Sequence, residues 1–298
     1  MSSERALRGI FAPVTTPFRG DEIDSAAFAA NLRHYAATAL AGVVVLGSNG
    51  EAPLLDDDEA DQLIETARGV WPAGKWLIAG TGRESLRATI AATARAAARG
   101  VDAVMVRTPS FYKARVSADG LADFYTAVAD RSPVPVILYN VTMFTGVNLL
   151  PETAARLSAH PNIIGVKDSG GDVTVIAELV AGCRNGFGVL AGSTSALYAS
   201  LVVGATGATI GPGAVAPDMC AALQTAVDAG RHHEARALQA RLMPIAKSVG
   251  ALYGVPGLKA AVDACGLAGG PPRPPLRPVP AEGVALIREQ VASLLQPA

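Results

Sequence analysis

Short apolar runs alternate with longer stretches of helical period along most of this chain. The runs cover residues 9–14, 42–46, 76–79, 103–106, 136–139, 163–167, 188–191 and 207–210. Each is too short for an independent helix and lacks polar alternation, so each reads as a strand buried on both faces. Helical patterns fall between most of them, at 24–39, 56–70, 85–99, 117–130, 151–158 and 172–181. Asp24 is placed to cap the first, and the acids Asp56 to Glu59 open the second, where a helix dipole favours negative charge. Strand alternating with helix predicts a parallel sheet, and eight repeats predict its closure into a (β/α)8 TIM barrel. An open doubly wound sheet is the alternative. Beyond about residue 214 the strand pattern stops. Helices are predicted at 217–229, 231–250, 257–265 and 281–295, with a proline-rich extended stretch at 271–275. The expected organisation is a barrel with the active site over 1–225 and a C-terminal helical extension over 226–298.

Composition narrows the class. A chain of 298 residues would suit two average domains, but α/β barrels of about 250 residues fold as one. Half the residues are hydrophobic and 17% are charged, enough for a large core, and the net charge is -1. That balance offers no basic surplus to hold nucleic acid or an anionic membrane. Cys183, Cys220 and Cys265 are odd in number and far apart, with neither zinc spacing nor a disulfide framework. The polar start Met1-Ser2-Ser3-Glu4-Arg5 does not resemble a leader, and no long uninterrupted apolar run is present. The expectation is a cytoplasmic protein without metal or cofactor, with neither nucleic acid nor membrane as partner.

Chemistry concentrates at the predicted strand ends, where barrels of this kind carry their active sites. The run Ile163-Ile164-Gly165-Val166 ends in Lys167. Burial penalises a charged amine and favours its neutral form, and a neutral lysine attacks a carbonyl to form a Schiff base. The alternative is a lysine paired with Asp168 or reaching solvent. Other strand ends supply Gly47-Ser48-Asn49-Gly50-Glu51, Ser110-Phe111-Tyr112, Tyr139-Asn140, Ser169 and Gly192-Ser193. Hydroxyls and loop N–H groups of this kind suit a small keto acid, holding its carboxylate while the amine attacks its ketone. Ser169 and Gly192 are placed for the distal part of such a substrate.

These residues resemble, in order and spacing, the dihydrodipicolinate synthase/N-acetylneuraminate lyase family of class I, pyruvate-dependent aldolases. Gly47-Ser48-Asn49-Gly50-Glu51 is similar to that family's carboxylate-binding loop, Tyr139 to its proton-relay tyrosine, and Gly165-Val166-Lys167 to its Schiff-base strand. The resemblance spans roughly residues 7 to 290. It implies Lys167, Tyr139, Ser48 and Tyr112 as catalytic residues, Tyr112 entering from a neighbouring subunit. It implies Ser48 and Asn49 as the carboxylate grip, pyruvate as substrate, and a homotetramer built as a dimer of dimers. The 4-hydroxy-2-oxoglutarate aldolase branch is similar in its Ser-Asn loop, in the run from His160 to Asp172, and in Gly254-Val255-Pro256-Gly257-Leu258-Lys259.

One departure bears on the second substrate. Dihydrodipicolinate synthases carry an arginine in the loop after the relay tyrosine, and here Tyr139-Asn140-Val141-Thr142-Met143-Phe144 puts a phenyl ring in its place. A phenyl ring cannot pair with a carboxylate. The expected reaction is therefore cleavage of a 2-oxo-4-hydroxy acid, 4-hydroxy-2-oxoglutarate foremost, to pyruvate and an aldehyde. The alternatives are 4-hydroxy-tetrahydrodipicolinate synthase, a sugar-acid aldolase or dehydratase, and a ligand-binding protein on an inactive barrel. His232-His233 points to two helix faces, and Asp56-Asp57-Asp58-Glu59 fits a helix start better than a calcium loop. Gly211-Pro212-Gly213 follows the last strand, where no dinucleotide-binding unit begins.

Overall fold

The computed structural model describes residues 5–296. Met1 to Glu4, most of the polar start read above as no leader, lie outside the described residues, as do Pro297 and Ala298. Strand β1 (Gly9–Pro13) leads into a small antiparallel ribbon, β2 (Phe18–Arg19) with β3 (Glu22–Ile23). Then follow α1 (Ser25–Ala36), β4 (Gly42–Val45), α2 (Asp57–Val70), β5 (Trp76–Gly80), α3 (Leu86–Ala98) and β6 (Ala103–Arg107). The chain continues through α4 (Ala118–Arg131), β7 (Val136–Asn140), the single turn α5 (Thr142–Thr145), α6 (Pro151–Ser158) and β8 (Ile163–Asp168). Next come α7 (Val173–Gly182), β9 (Gly188–Ala191), α8 (Leu197–Val202) and β10 (Gly207–Thr209). The C-terminal helices are α9 (Pro217–Asp228), α10 (His232–Lys247), α11 (Gly254–Ala264) and α12 (Ala281–Leu295), with a π-helical turn at Ser248–Leu252.

Eight parallel strands close a barrel in the order β1, β10, β9, β8, β7, β6, β5, β4, so each is bonded to its neighbours in sequence. All residues of β4 and β7 are buried, as expected of strands covered on both faces. The helices begin where the polar punctuation placed them. Asp24, Asp56, Ser85, Ser117 and Asp172 each accept a backbone N–H at an N-cap, and Asp56 and Glu59 form a reciprocal capping box. A cap of this kind stabilises a helix by about 1 kcal/mol. The elements that periodicity did not predict are the shortest ones, α5, α8 and the β2–β3 ribbon, which span too little chain to display a period. Among the described residues no helix is long and apolar enough to cross a membrane.

The described residues form two compact units, residues 5–9 with 78–209, and residues 10–77 with 210–296. In the first, Leu7 packs beneath β8 and β9. A Cβ on Gly165 would lie 2.5 Å from Leu7 Cδ2, and one on Gly188 would lie 2.8 Å from Leu7 Cβ. Only glycine leaves that space, so Leu7 fills the layer below Lys167 and its register partner Leu190. In the second unit, the ends of the sequence interlock. Asn31 donates to Ala268 O at 2.7 Å and accepts from Ala268 N at 2.9 Å, and the Tyr35 hydroxyl donates to Ala214 O at 3.0 Å. The proline-rich stretch is not simply extended. A turn closes where Leu276 N donates to Arg273 O at 3.1 Å, and the Arg273 side chain runs inward to Glu59 at 2.6 Å.

Candidate active site

The register across four strands brings Arg107, Tyr139, Lys167 and Leu190 side by side at the carboxyl ends of β6, β7, β8 and β9. Paired residues in a parallel ladder point to the same face. The Lys167 amine accordingly lies 4.2 Å from the centroid of the Tyr139 ring. Both residues are buried, at 5% and 6% exposure. Lys167 is one of two buried lysines, and the contrast is informative. Lys259 is ion-paired with Glu51 at 2.6 Å, as a buried structural cation should be. Among the described residues Lys167 makes no ion pair, with Asp168 or any other carboxylate. Neither alternative expected for a structural lysine, pairing with Asp168 or escape to solvent, is met.

Asp168 is occupied elsewhere, by a residue whose role the sequence did not reveal. Asn140 donates through Nδ2 to Asp168 Oδ2 at 2.7 Å and to Asn148 Oδ1 at 2.8 Å, and its Oδ1 accepts Leu149 N at 3.0 Å. Asp168 Oδ1 accepts Gly170 N at 2.9 Å. This buried bridge ties together the strand ends that carry Tyr139 and Lys167. Ser169 and Gly192 are brought into contact one step further on. A Cβ on residue 192 would lie 2.1 Å from Ser169 Oγ, so glycine at 192 leaves room for the Ser169 hydroxyl.

The loop after β6 is held by Glu84. Its carboxylate accepts Ser110 N and Phe111 N, each at 2.8 Å, the Ser110 hydroxyl at 2.9 Å, and pairs with Arg107 at 2.9 Å. Partial burial pushes the Glu84 pKa up, but the backbone donors of Phe111 and Ser110, with Arg107 and the Ser110 hydroxyl, outweigh it and hold it at about 2. Phe111 and Tyr112 follow as an exposed edge-to-face pair with centroids 5.0 Å apart. Thr108 Oγ1 donates to Thr145 Oγ1 at 3.0 Å, joining this loop to α5. On α5, Met143 and Phe144 are exposed, at 70% and 59%, and the position expected for a carboxylate-binding arginine carries the phenyl ring.

Ser48 and Asn49 belong to the second unit. They form a 3-10 turn, Ser48–Gly50, directly after β4. The turn is bracketed by two non-glycine residues of positive φ, Leu46 at 55° and Glu51 at 58°. The first unit thus holds a buried amine with a phenol beside it, and the second holds a turn of N–H and hydroxyl donors. An amine of this kind can attack a ketone, and such a turn can hold a carboxylate.

The dihydrodipicolinate synthetase family matches this chain over residues 6–296. A 4-hydroxy-tetrahydrodipicolinate synthase from an Exiguobacterium species is 35% identical over 278 residues, covering 93% of this chain and 94% of that protein. A probable mitochondrial 4-hydroxy-2-oxoglutarate aldolase from Emericella nidulans is 35% identical over 246 residues, covering 80% of each. The crystal structure of dihydrodipicolinate synthase from Thermotoga maritima superposes with a TM-score of 0.93 at 28% identity, covering 97% of this chain and 99% of that one.

Proposed function

This chain belongs to the dihydrodipicolinate synthetase family, and from that membership we propose how its residues divide the work of the reaction. Family members are carbon–carbon lyases of the class I aldolase type that form a Schiff base with pyruvate, and this chain is one of them. Lys167 is the nucleophile. Its amine adds to the C2 ketone, water leaves, and the iminium draws electrons from the C3–C4 bond. In the cleavage direction Tyr139 takes the proton of the C4 hydroxyl, the C3–C4 bond breaks, and an aldehyde departs from a pyruvate enamine. Protonation and hydrolysis then release pyruvate. Ser48 and Asn49 hold the pyruvate carboxylate, Ser48 and Tyr112 complete the proton relay, and Ser169 and Gly192 line the distal part of the substrate. The observation that carries this reading is the buried, ion-pair-free Lys167 amine 4.2 Å from the Tyr139 ring.

Two readings compete for the second carbonyl compound. The names of the relatives favour the synthase reaction, with aspartate semialdehyde as the aldehyde, since relatives 35%, 36% and 34% identical carry that name. Arg107, in register with Tyr139, is the nearest guanidinium along the ladder, but it is paired with Glu84 at 2.9 Å and would have to leave that pair to bind the aldehyde's carboxylate. Phe144 favours the second reading, cleavage of 4-hydroxy-2-oxoglutarate to pyruvate and glyoxylate, which the Emericella relative's name also carries. The test measures pyruvate consumption with aspartate semialdehyde against pyruvate release from 4-hydroxy-2-oxoglutarate. The Phe144→Arg variant is run beside the wild type. Turnover of aspartate semialdehyde by the wild type supports the synthase. Release from the oxoglutarate, with semialdehyde turnover only in Phe144→Arg, supports the aldolase. Family membership favours an oligomer, a dimer of dimers in which Tyr112 enters the neighbouring site, and the exposed Phe111–Tyr112 pair is free to make such a contact; the free thiols of Cys183, Cys220 and Cys265 fit a cytoplasmic setting.

A further inference from the structure

The turn that carries Ser48 and Asn49 is held in a costly shape. Leu46, two residues before it, and Glu51, directly after it, both have left-handed backbone, at φ 55° and 58°. Side chains with a Cβ resist that region, and such strain persists only where the surroundings over-determine it. Around Glu51 they do. Its side chain is fully buried and pairs through Oε1 with Lys259 Nζ at 2.6 Å, while Oε2 accepts Arg273 N at 2.8 Å. Lys259 Nζ also donates to Thr16 O at 2.7 Å, and Thr16 Oγ1 donates to Gly50 O at 2.8 Å. The contacts form a closed circuit, from Glu51 through Lys259 and Thr16 to Gly50 and back along the peptide. Lys259 and Arg273 both lie against the Phe18 ring, at 4.5 and 4.3 Å. The backbone at Gly269 passes so close to Lys259 that a Cβ there would lie 2.0 Å from Lys259 O.

A buried ion pair is a weak source of stability, since desolvation offsets most of the attraction. A pair placed directly behind a strained functional turn has another use. We propose that Lys259 and Glu51 are positioning residues that fix the Ser48–Asn49 turn in the shape that grips the pyruvate carboxylate. The segment around α11 is then part of the substrate grip, although 208 residues separate Lys259 from Glu51. This rests on the reading of Ser48 and Asn49 given above.

The test compares borohydride trapping of pyruvate with that of methyl pyruvate, which keeps the ketone and lacks the charged carboxylate. The wild type, Lys259→Met and the double variant Lys259→Met/Glu51→Gln are titrated with each. The double variant removes both charges at nearly constant volume, so it reports even if the single variant does not fold. The expected result is a rise of about tenfold or more in the pyruvate concentration for half-trapping, with methyl pyruvate shifted less than about twofold. Equal shifts for both probes, or unchanged discrimination in the double variant, would overturn the proposal. Absence of trapping in the wild type would instead remove the aldolase reading on which it stands.

Discussion

The neighbouring placement of Lys167 and Tyr139 was legible in the sequence because each lies one residue before the end of its strand, and a parallel barrel sets successive strand ends side by side. What could not be read was the set of groups that hold them. Asn140 bridges to Asp168 across 28 residues, and Glu84 reaches Ser110 across 26. Such pairings leave no local period. Glu51 was legible only as a member of a loop, because its partner lies on α11. The division of labour between amine and phenol predicts a specific split. Tyr139→Phe should lower pyruvate release about a hundredfold or more, the usual range for a lost acid–base group, while still trapping pyruvate on borohydride reduction. Steady-state assay and trapping of the same preparation check this. Equal loss of both would make Tyr139 a structural residue instead of a proton relay.

Among the elements, the loop between β6 and α4 is tied by one carboxylate, that of Glu84. Glu84 has its pKa held at about 2 against a usual 4.5. A carboxylate depressed in the folded state adds stability that is fully present above its ordinary pKa and is lost as pH falls toward the depressed one. The loop should therefore stay ordered at neutral pH and loosen progressively between about pH 4.5 and 2. Hydrogen exchange at the Ser110 and Phe111 amides, corrected for intrinsic rates, should show protection falling through that window, and Glu84→Ala should show the loss at neutral pH. Protection unchanged in Glu84→Ala would assign the ordering of the loop to other contacts. The eight strands and the long helices were readable because burial on both faces and a 3.6-residue period repeat over enough chain. The turn α5 (Thr142–Thr145), which carries Met143 and Phe144, was not, because four residues span too little chain to display a period.

Across the whole molecule, alternation of strand and helix foretold a closed parallel barrel, and the strand order follows the sequence around it. The role of the C-terminal third was less legible. Its helices read as an extension of the barrel, and the described residues 210–296 fall in one compact unit with residues 10–77, tied by side chains such as Asn31, Glu51 and Arg273. No periodicity reports that Lys259 lies against Phe18 or that Arg273 reaches Glu59. The chemistry remains that of one amine among the five lysines Lys75, Lys113, Lys167, Lys247 and Lys259. The most direct measurement is incubation with pyruvate and borohydride followed by peptide mass mapping. One reduced pyruvate on the peptide containing Lys167, absent from Lys167→Ala, is the predicted result. Modification of a different lysine, or none, would contradict Lys167 as the Schiff-base residue.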